Sequence, residues 1–130
     1  TILYQFGKSL GLAFQLMDDY LDVYGDANKT GKQNGGDILS DKKTFLSTKA
    51  YALASLEQRN ELATYKSLPS DEKVQKTKAL FSTLEVDKLL KEEIENYSEQ
   101  AFAYLEKAPI LSKRKVYLHE LEKKLLHREH

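Results

Sequence analysis

The chain has 130 residues, of which 41% are hydrophobic, and its 20 basic and 20 acidic residues give a formal net charge of zero. That balance gives no support to binding of nucleic acid, for which a basic excess is expected. The absence of cysteine excludes a disulfide framework, a thiol nucleophile and cysteine-ligated zinc. No apolar run approaches the roughly 18 residues that span a bilayer and no signal-peptide pattern is seen, so we expect a cytoplasmic protein without an integral membrane segment.

The spacing of apolar residues predicts an all-α fold. Two prolines and six glycines leave long stretches free to be helical, and no alternating β-branched run is present. The first helix should cover about Ile2–Tyr24 and, being apolar around most of its surface, should be buried on most sides. Further helices are expected over about 44–66, 70–82 and 86–107 and from residue 112 onward.

Two serines are expected to cap the later helices. Ser70 precedes an acidic first turn and is the expected N-cap of the third helix, while Ser112 is expected to cap the last. The last helix should turn four apolar residues inward: Tyr117, Leu118, Leu121 and Leu125. Because the chain starts at Thr1 and runs directly into a helical pattern, we also expect it to be a piece of a longer protein.

Three aspartates mark the end of the first helix, in the stretch FQLMDDYLD. Asp18 and Asp22 lie four residues apart and share a helix face, and Asp19 can reach the same rim. Like charges at this spacing repel and call for a compensating cation, but the cluster taken alone also fits a solvated acidic helix end. Carboxylate oxygens without sulfur or imidazole suit Mg²⁺.

A polar loop with several glycines and lysines follows the aspartates. It contains Gly31 and Lys32, then GGD at 35–37 and DKKT at 41–44. Glycines let backbone N–H groups approach an anion, and lysine provides a point charge for phosphate. Carboxylates, lysines and glycines so close together predict a diphosphate held through magnesium.

These stretches resemble the trans-isoprenyl diphosphate synthase (polyprenyl synthetase) family. FQLMDDYLD is similar to its second aspartate-rich motif, and TGK, GGDI and DKKT are similar to the segment that follows. The family's first aspartate-rich motif is not present. The resemblance therefore implies that 1–130 is the C-terminal portion of a single isoprenoid synthase domain, an antiparallel helical bundle here represented by its C-terminal helices.

By the same resemblance, the full-length parent is a prenyltransferase that condenses isopentenyl diphosphate with an allylic diphosphate and releases pyrophosphate. The implied cofactor is Mg²⁺ and the implied assembly a homodimer, while the fragment alone should be inactive. Asp18 is the implied chief metal ligand, with Lys32 and Lys42 contacting the diphosphate and Gln15 orienting it or the metal cluster. The remaining implied ligands, direct or through water, are Asp19, Asp22 and Asp37.

Two alternatives stay open. A regulatory or scaffold subunit of a prenyl synthase would keep the fold without the activity. The loop at 26–37 also places oxygen-bearing residues at spacings similar to those of a calcium-binding EF-hand. Three features oppose calcium: Asp37 stands where the EF-hand has a bidentate glutamate, polar Gln33 stands where an apolar residue is usual, and lysines lie inside the loop.

Overall fold

The computed structural model describes residues 1–25, 34–110 and 112–126. These residues form helices, and no strand occurs among them, which confirms the all-α prediction. No helix in these three stretches is both long and apolar enough to cross a membrane. In chain order the helices are α1 (Ile2–Tyr24), α2 (Gly36–Leu39), α3 (Phe45–Leu53), α4 (Leu56–Tyr65), α5 (Ser70–Leu84), α6 (Val86–Lys107) and α7 (Ser112–Leu126).

The single helix predicted over 44–66 is wrong, because the chain forms two helices there. Ala54 adopts an extended conformation (ψ 144°) and ends α3. Ser55 then starts α4 with a capping box, in which its side chain accepts from the Gln58 N–H and the Gln58 side chain accepts from the Ser55 N–H. This reciprocal cap satisfies backbone N–H donors at the start of α4. Ending one helix at Ala54 and starting the next at Ser55 therefore costs little free energy.

The prediction that Ser70 caps the third helix is also wrong. Pro69 occupies the capping position without a side-chain hydrogen bond, and Ser70 is the first helical residue. The acidic first turn, Asp71 and Glu72, is present as predicted. After Leu84, Glu85 takes a left-handed conformation (φ 58°) that ends α5, and α6 follows with the bounds expected from the sequence.

One compact unit comprises Asp19–Leu90. Within it α5 packs against α2, α3 and α4, so this helix is the common support of the shorter ones. The buried residues of α5 recur at helical spacing: Lys73, Thr77, Leu80 and Phe81. A lysine therefore occupies one position of an otherwise inward-facing stripe.

The other compact unit comprises Thr1–Asp18 and Lys91–Glu129. Phe6, Ala101 and Leu105 form its buried cluster, with Leu10 and Leu118 among the side chains packed against them. At the start of α1, by contrast, Ile2, Leu3 and Tyr4 are exposed. The expectation that α1 is buried on most sides is therefore not met at this end.

The inward face predicted for α7 is partly wrong. Leu118 packs on the core, but Tyr117 is 66% exposed and Leu121 is also exposed. Glu122 is buried instead, and it accepts a hydrogen bond from the Ser98 hydroxyl at 3.0 Å. Because this polar residue lies on the inner face, a pattern of apolar residues alone gives the wrong rotation of the helix. α7 also begins at Ser112 itself, so Ser112 is a first-turn residue and not the predicted cap.

Candidate active site

The single turn α2 is attached to the last turn of α1. The Asp37 N–H donates to Asp22 Oδ2 at 2.9 Å, and the Gly35 N–H donates to the Asp22 carbonyl oxygen at 2.7 Å. The Asn34 side-chain amide donates to the Gly25 carbonyl oxygen. The Asp22 carboxylate also lies at the N-terminal end of α2, where a negative charge is favourable. These contacts bring Asp37 next to the aspartate-rich end of α1.

Two glycines allow this close approach. Gly35 has φ +93°, and a Cβ there would lie 2.8 Å from Val74 Cγ2 on α5. A Cβ on Gly36 would lie 3.3 Å from Asp22 Oδ1. Because larger residues disfavour positive φ and would meet these neighbours, the GGD sequence suits a turn held between α1 and α5.

Lys42 follows α2 in the chain and contacts Asp37 through both its backbone and its side chain. The Lys42 N–H donates to the Asp37 carbonyl oxygen at 3.0 Å, and Lys42 Nζ lies 3.9 Å from Asp37 Oδ1. The side chain of Lys42 is 58% exposed, so its ammonium can reach an anion in solution. Thr44 then starts α3 through a capping box with Ser47, which fixes the chain just beyond the lysine.

Lys73, which was not predicted from the sequence as a site residue, contacts the C-terminal end of α2. Lys73, on α5, donates from Nζ to the Leu39 carbonyl oxygen at 3.2 Å and forms an ion pair with Asp41 Oδ1 at 2.9 Å. The sequence does contain a signal for this role, because the helical spacing of Lys73, Thr77 and Leu80 puts the lysine on the buried face of α5. A lysine at an inward-facing position requires a polar or charged partner for its ammonium group.

An open cavity of about 490 Å³ lies beside this segment. Its wall includes the charged residues Asp37, Lys42, Lys43 and Lys73 and the hydroxyls of α3 and its cap. The site region therefore combines carboxylate, ammonium and hydroxyl groups around solvent-accessible space.

The tyrosine at the end of α1 is not a base in this setting. Burial raises the pKa of the Tyr24 phenol, and charge repulsion from the Asp87 carboxylate and the Tyr20 phenolic group adds to the rise. A raised pKa keeps the phenol protonated at neutral pH.

The structure places the predicted site residues differently. Asp22, Asp37 and Lys42 are brought together, and Asp19 lies half-buried near the end of α1. Gln15 and Asp18 are exposed on the part of α1 that belongs to the other compact unit, with Asp18 one turn before Asp22 on the same helix. Lys32 lies outside the described residues, as does most of the loop considered for calcium, positions 26–33.

The acidic side chains suit magnesium as partial ligands. No group of three or more acidic, histidine or cysteine side chains in the described ranges is arranged to hold a metal ion. Asp22 already uses one carboxylate oxygen to accept the Asp37 N–H. Mg²⁺ commonly takes one or two protein carboxylates and completes its shell with water and phosphate oxygens. Carboxylates of this kind can therefore hold the ion jointly with a bound diphosphate.

The family model described as polyprenyl synthetase matches residues 1–84. The chain belongs to the polyprenyl synthetase family. It is 37% identical over 130 aligned residues to the geranylgeranyl pyrophosphate synthase of Geoglobus acetivorans, an alignment that covers 98% of this chain and 38% of that protein. The resemblance of the motifs to this family is thereby confirmed.

Solved structures of polyprenyl synthetases share the fold. The geranylgeranyl pyrophosphate synthetase of Pyrococcus horikoshii Ot3 superposes with a TM-score of 0.90 at 26% identity, over 98% of this chain and 39% of that one. The geranylgeranyl pyrophosphate synthase of Corynebacterium glutamicum, solved with isoprenyl diphosphate and magnesium, gives 0.86 at 28% identity, over 98% and 37%. The isoprenoid synthase type of helical fold is confirmed, and the chain spans about two fifths of each of these relatives.

Proposed function

We propose that the whole protein is a trans-prenyltransferase that condenses isopentenyl diphosphate with an allylic diphosphate and releases pyrophosphate at a magnesium-dependent site. The observation that carries the proposal is the attachment of α2 to α1 through Asp22. It puts Asp37 and Lys42 beside an aspartate-rich helix end in a member of the polyprenyl synthetase family. The relative from Corynebacterium glutamicum, solved with isoprenyl diphosphate and magnesium, supports the same class of ligand.

The proposed reaction breaks the allylic C–O bond, and the departing diphosphate keeps the electron pair. The isopentenyl double bond then attacks the allylic cation, a C–C bond forms, and loss of a proton completes the product. Magnesium, when bound, supplies Lewis-acid neutralisation of the diphosphate oxygens. The chain contributes fixed positive charge through Lys42, with Lys32 in the same proposed role.

Four aspartates are proposed to hold the metal directly or through water: Asp18, Asp19, Asp22 and Asp37. Asp18 is the proposed chief ligand, with Gln15 orienting the cluster or the substrate. Asp22 has a second task, because Oδ2 already accepts the Asp37 N–H. Its contact with the ion can use Oδ1, the remaining lone pair of Oδ2 or a bridging water. Asp22 then joins metal binding to the position of α2.

The proposal is tested by isoprenyl transfer with radiolabelled isopentenyl diphosphate, an allylic primer and Mg²⁺, using the whole protein. Asp18→Ala should lower turnover by about 10³-fold or more with the fold retained by circular dichroism, because it removes the proposed chief ligand of the ion that neutralises the leaving group. Asp71→Ala is the matched control, since Asp71 is an exposed aspartate in the first turn of α5. It should keep near wild-type activity.

Absence of transfer by the wild type with every allylic primer would overturn the proposal and favour the regulatory-subunit alternative. Equal losses in Asp18→Ala and Asp71→Ala would show that Asp18 has no special role. Product chain length from the active wild type would further identify which synthase it is.

A further inference from the structure

Lys73 is a buried cation outside the aspartate-rich and lysine motifs. It is 7% exposed, whereas lysines are rarely buried without a partner because burying a charge is costly. Its Nζ has two partners in one short segment, the Leu39 carbonyl oxygen and the Asp41 carboxylate. Both partners belong to the segment that carries Asp37 and Lys42.

Both contacts stabilise the C-terminal side of α2. The Leu39 carbonyl lies at the negative end of that turn, where a cation is favourable. Asp41 has φ 54°, a left-handed conformation that residues other than glycine seldom adopt. The ion pair to Lys73 holds Asp41 in this conformation, and the chain direction that follows determines where Lys42 lies.

α2 therefore has an anchor at each end. Asp22 on α1 accepts the Asp37 N–H at the start of the turn, and Lys73 on α5 binds the carbonyl and carboxylate at its end. Asp37 and Lys42 are held between these two anchors, and Lys42 N–H donates to the Asp37 carbonyl within the same segment.

We propose that Lys73 is a positioning residue for the diphosphate site: it fixes α2 and the turn after it so that Asp37 and Lys42 keep their places. This inference rests on the proposed function. Lys73 acts through the Leu39 carbonyl and the Asp41 carboxylate, and it is the positive charge of Lys73 that holds both of them. An apolar side chain of similar length would fill the same space on α5 but would leave the Leu39 carbonyl and Asp41 without their cation.

The test compares Lys73→Met, Lys73→Arg and Asp41→Asn in the whole protein. Methionine keeps most of the buried volume and removes the charge. A misplacement of about 1 Å at a site costs roughly 10²-fold in rate, so kcat/KM for the allylic diphosphate should fall by about 10²-fold in Lys73→Met. The KM for isopentenyl diphosphate should stay near wild type. Lys73→Arg should recover part of the loss, and Asp41→Asn should show a smaller loss in the same direction.

Lys76→Met is the matched control. Lys76 lies on the same helix, is exposed, and has its Nζ 5.9 Å from the centre of the Tyr65 ring. This variant should retain the wild-type parameters for both substrates. A loss in Lys76→Met equal to that in Lys73→Met would overturn the inference, since removal of any lysine from α5 would then suffice.

Binding of inorganic diphosphate with Mg²⁺, measured by calorimetry, separates this inference from the proposed function. Weaker binding by folded Lys73→Met alongside an inactive wild type would support the positioning role and refute the transferase. An active wild type with unchanged kinetics and binding in Lys73→Met would refute the positioning role alone. If Lys73→Met does not fold, Asp41→Asn provides the test, because Asp41 is exposed and its substitution should not prevent folding. Unchanged kinetics with the allylic diphosphate in Asp41→Asn would then overturn the inference.

Discussion

At the scale of single residues, Asp22 connects the last turn of α1 to α2 through the hydrogen bond that its carboxylate accepts from the Asp37 N–H. Its spacing from Asp18 follows from helix periodicity, so the shared face was predictable from four positions of sequence. Its hydrogen bond from the Asp37 N–H joins residues 15 positions apart and depends on where the chain returns after the loop. The assignment of Asp18, Asp19, Asp22 and Asp37 as metal ligands stays a prediction.

Asp22→Asn and Asp22→Ala separate the two tasks of this side chain. Asparagine keeps an oxygen that can accept the Asp37 N–H but removes the charge, so the free energy of unfolding should remain near wild type while magnesium-dependent diphosphate binding weakens. Alanine removes the acceptor as well and should cost about 1 kcal/mol more in stability. Urea unfolding and calorimetry measure the two effects. Equal stability of the two variants would contradict the structural task.

Gly35→Ala should lower the free energy of unfolding by about 1–2 kcal/mol. The added Cβ would have to accept φ +93° and meet the side chain of Val74 at under 3 Å. Gly11→Ala is the control, because Gly11 lies within α1 and a Cβ there has no neighbour within 4 Å. Alanine should raise stability there by up to about 1 kcal/mol. Thermal or urea unfolding gives both values, and a neutral Gly35→Ala would show that the turn relaxes without cost.

At the scale of helices, the bounds of α1 and α6 were predictable because long apolar periods and flanking residues agree along the sequence. The break between α3 and α4 was not predicted, although Ser55 and Gln58 form a recognisable capping pair. Helical periodicity continues on both sides of such a cap, so an apolar pattern alone joins the two helices. The buried face of α7 was predicted wrongly for a different reason. Glu122 lies on that face because its carboxylate accepts a hydrogen bond from Ser98 on α6, and a pattern of apolar residues does not include a glutamate.

Ser55→Ala and Ser70→Ala test which serine caps a helix. Ser55 accepts the Gln58 N–H at 3.1 Å, and loss of such a cap costs about 1 kcal/mol. Ser70 lies inside the first turn of α5 and the helix has no side-chain cap, so Ser70→Ala should change stability by less than about 0.5 kcal/mol. Urea unfolding of the two variants decides. A larger loss in Ser70→Ala would contradict the cap assignment.

At the scale of the whole molecule, the family model matches residues 1–84, and the chain spans about two fifths of the length of the two solved structures. The helical fold was predictable from the sequence because it depends on periodicity within the chain. The homodimer, the cytoplasmic location, the single-domain assignment and the inactivity of 1–130 alone stay predictions.

Exposed apolar residues predict how the 130-residue chain behaves in solution. Ile2, Leu3 and Tyr4 are consecutive and exposed at the start of α1, and the same compact unit also exposes Phe102 and Tyr117. Large exposed apolar surface favours association, because contact removes it from water. Light scattering should therefore show species larger than a monomer, with association increasing as protein concentration rises.

The variant Leu3→Glu with Tyr4→Glu should reduce that association by placing two charges on the exposed start of α1. Asn60→Glu with Thr64→Glu is the control, because it adds the same two charges at exposed polar positions of α4 in the other compact unit. It should leave the association unchanged. A monomeric wild type at all concentrations would refute the prediction. Equal relief by the control variant would show that net charge, and not the start of α1, controls association.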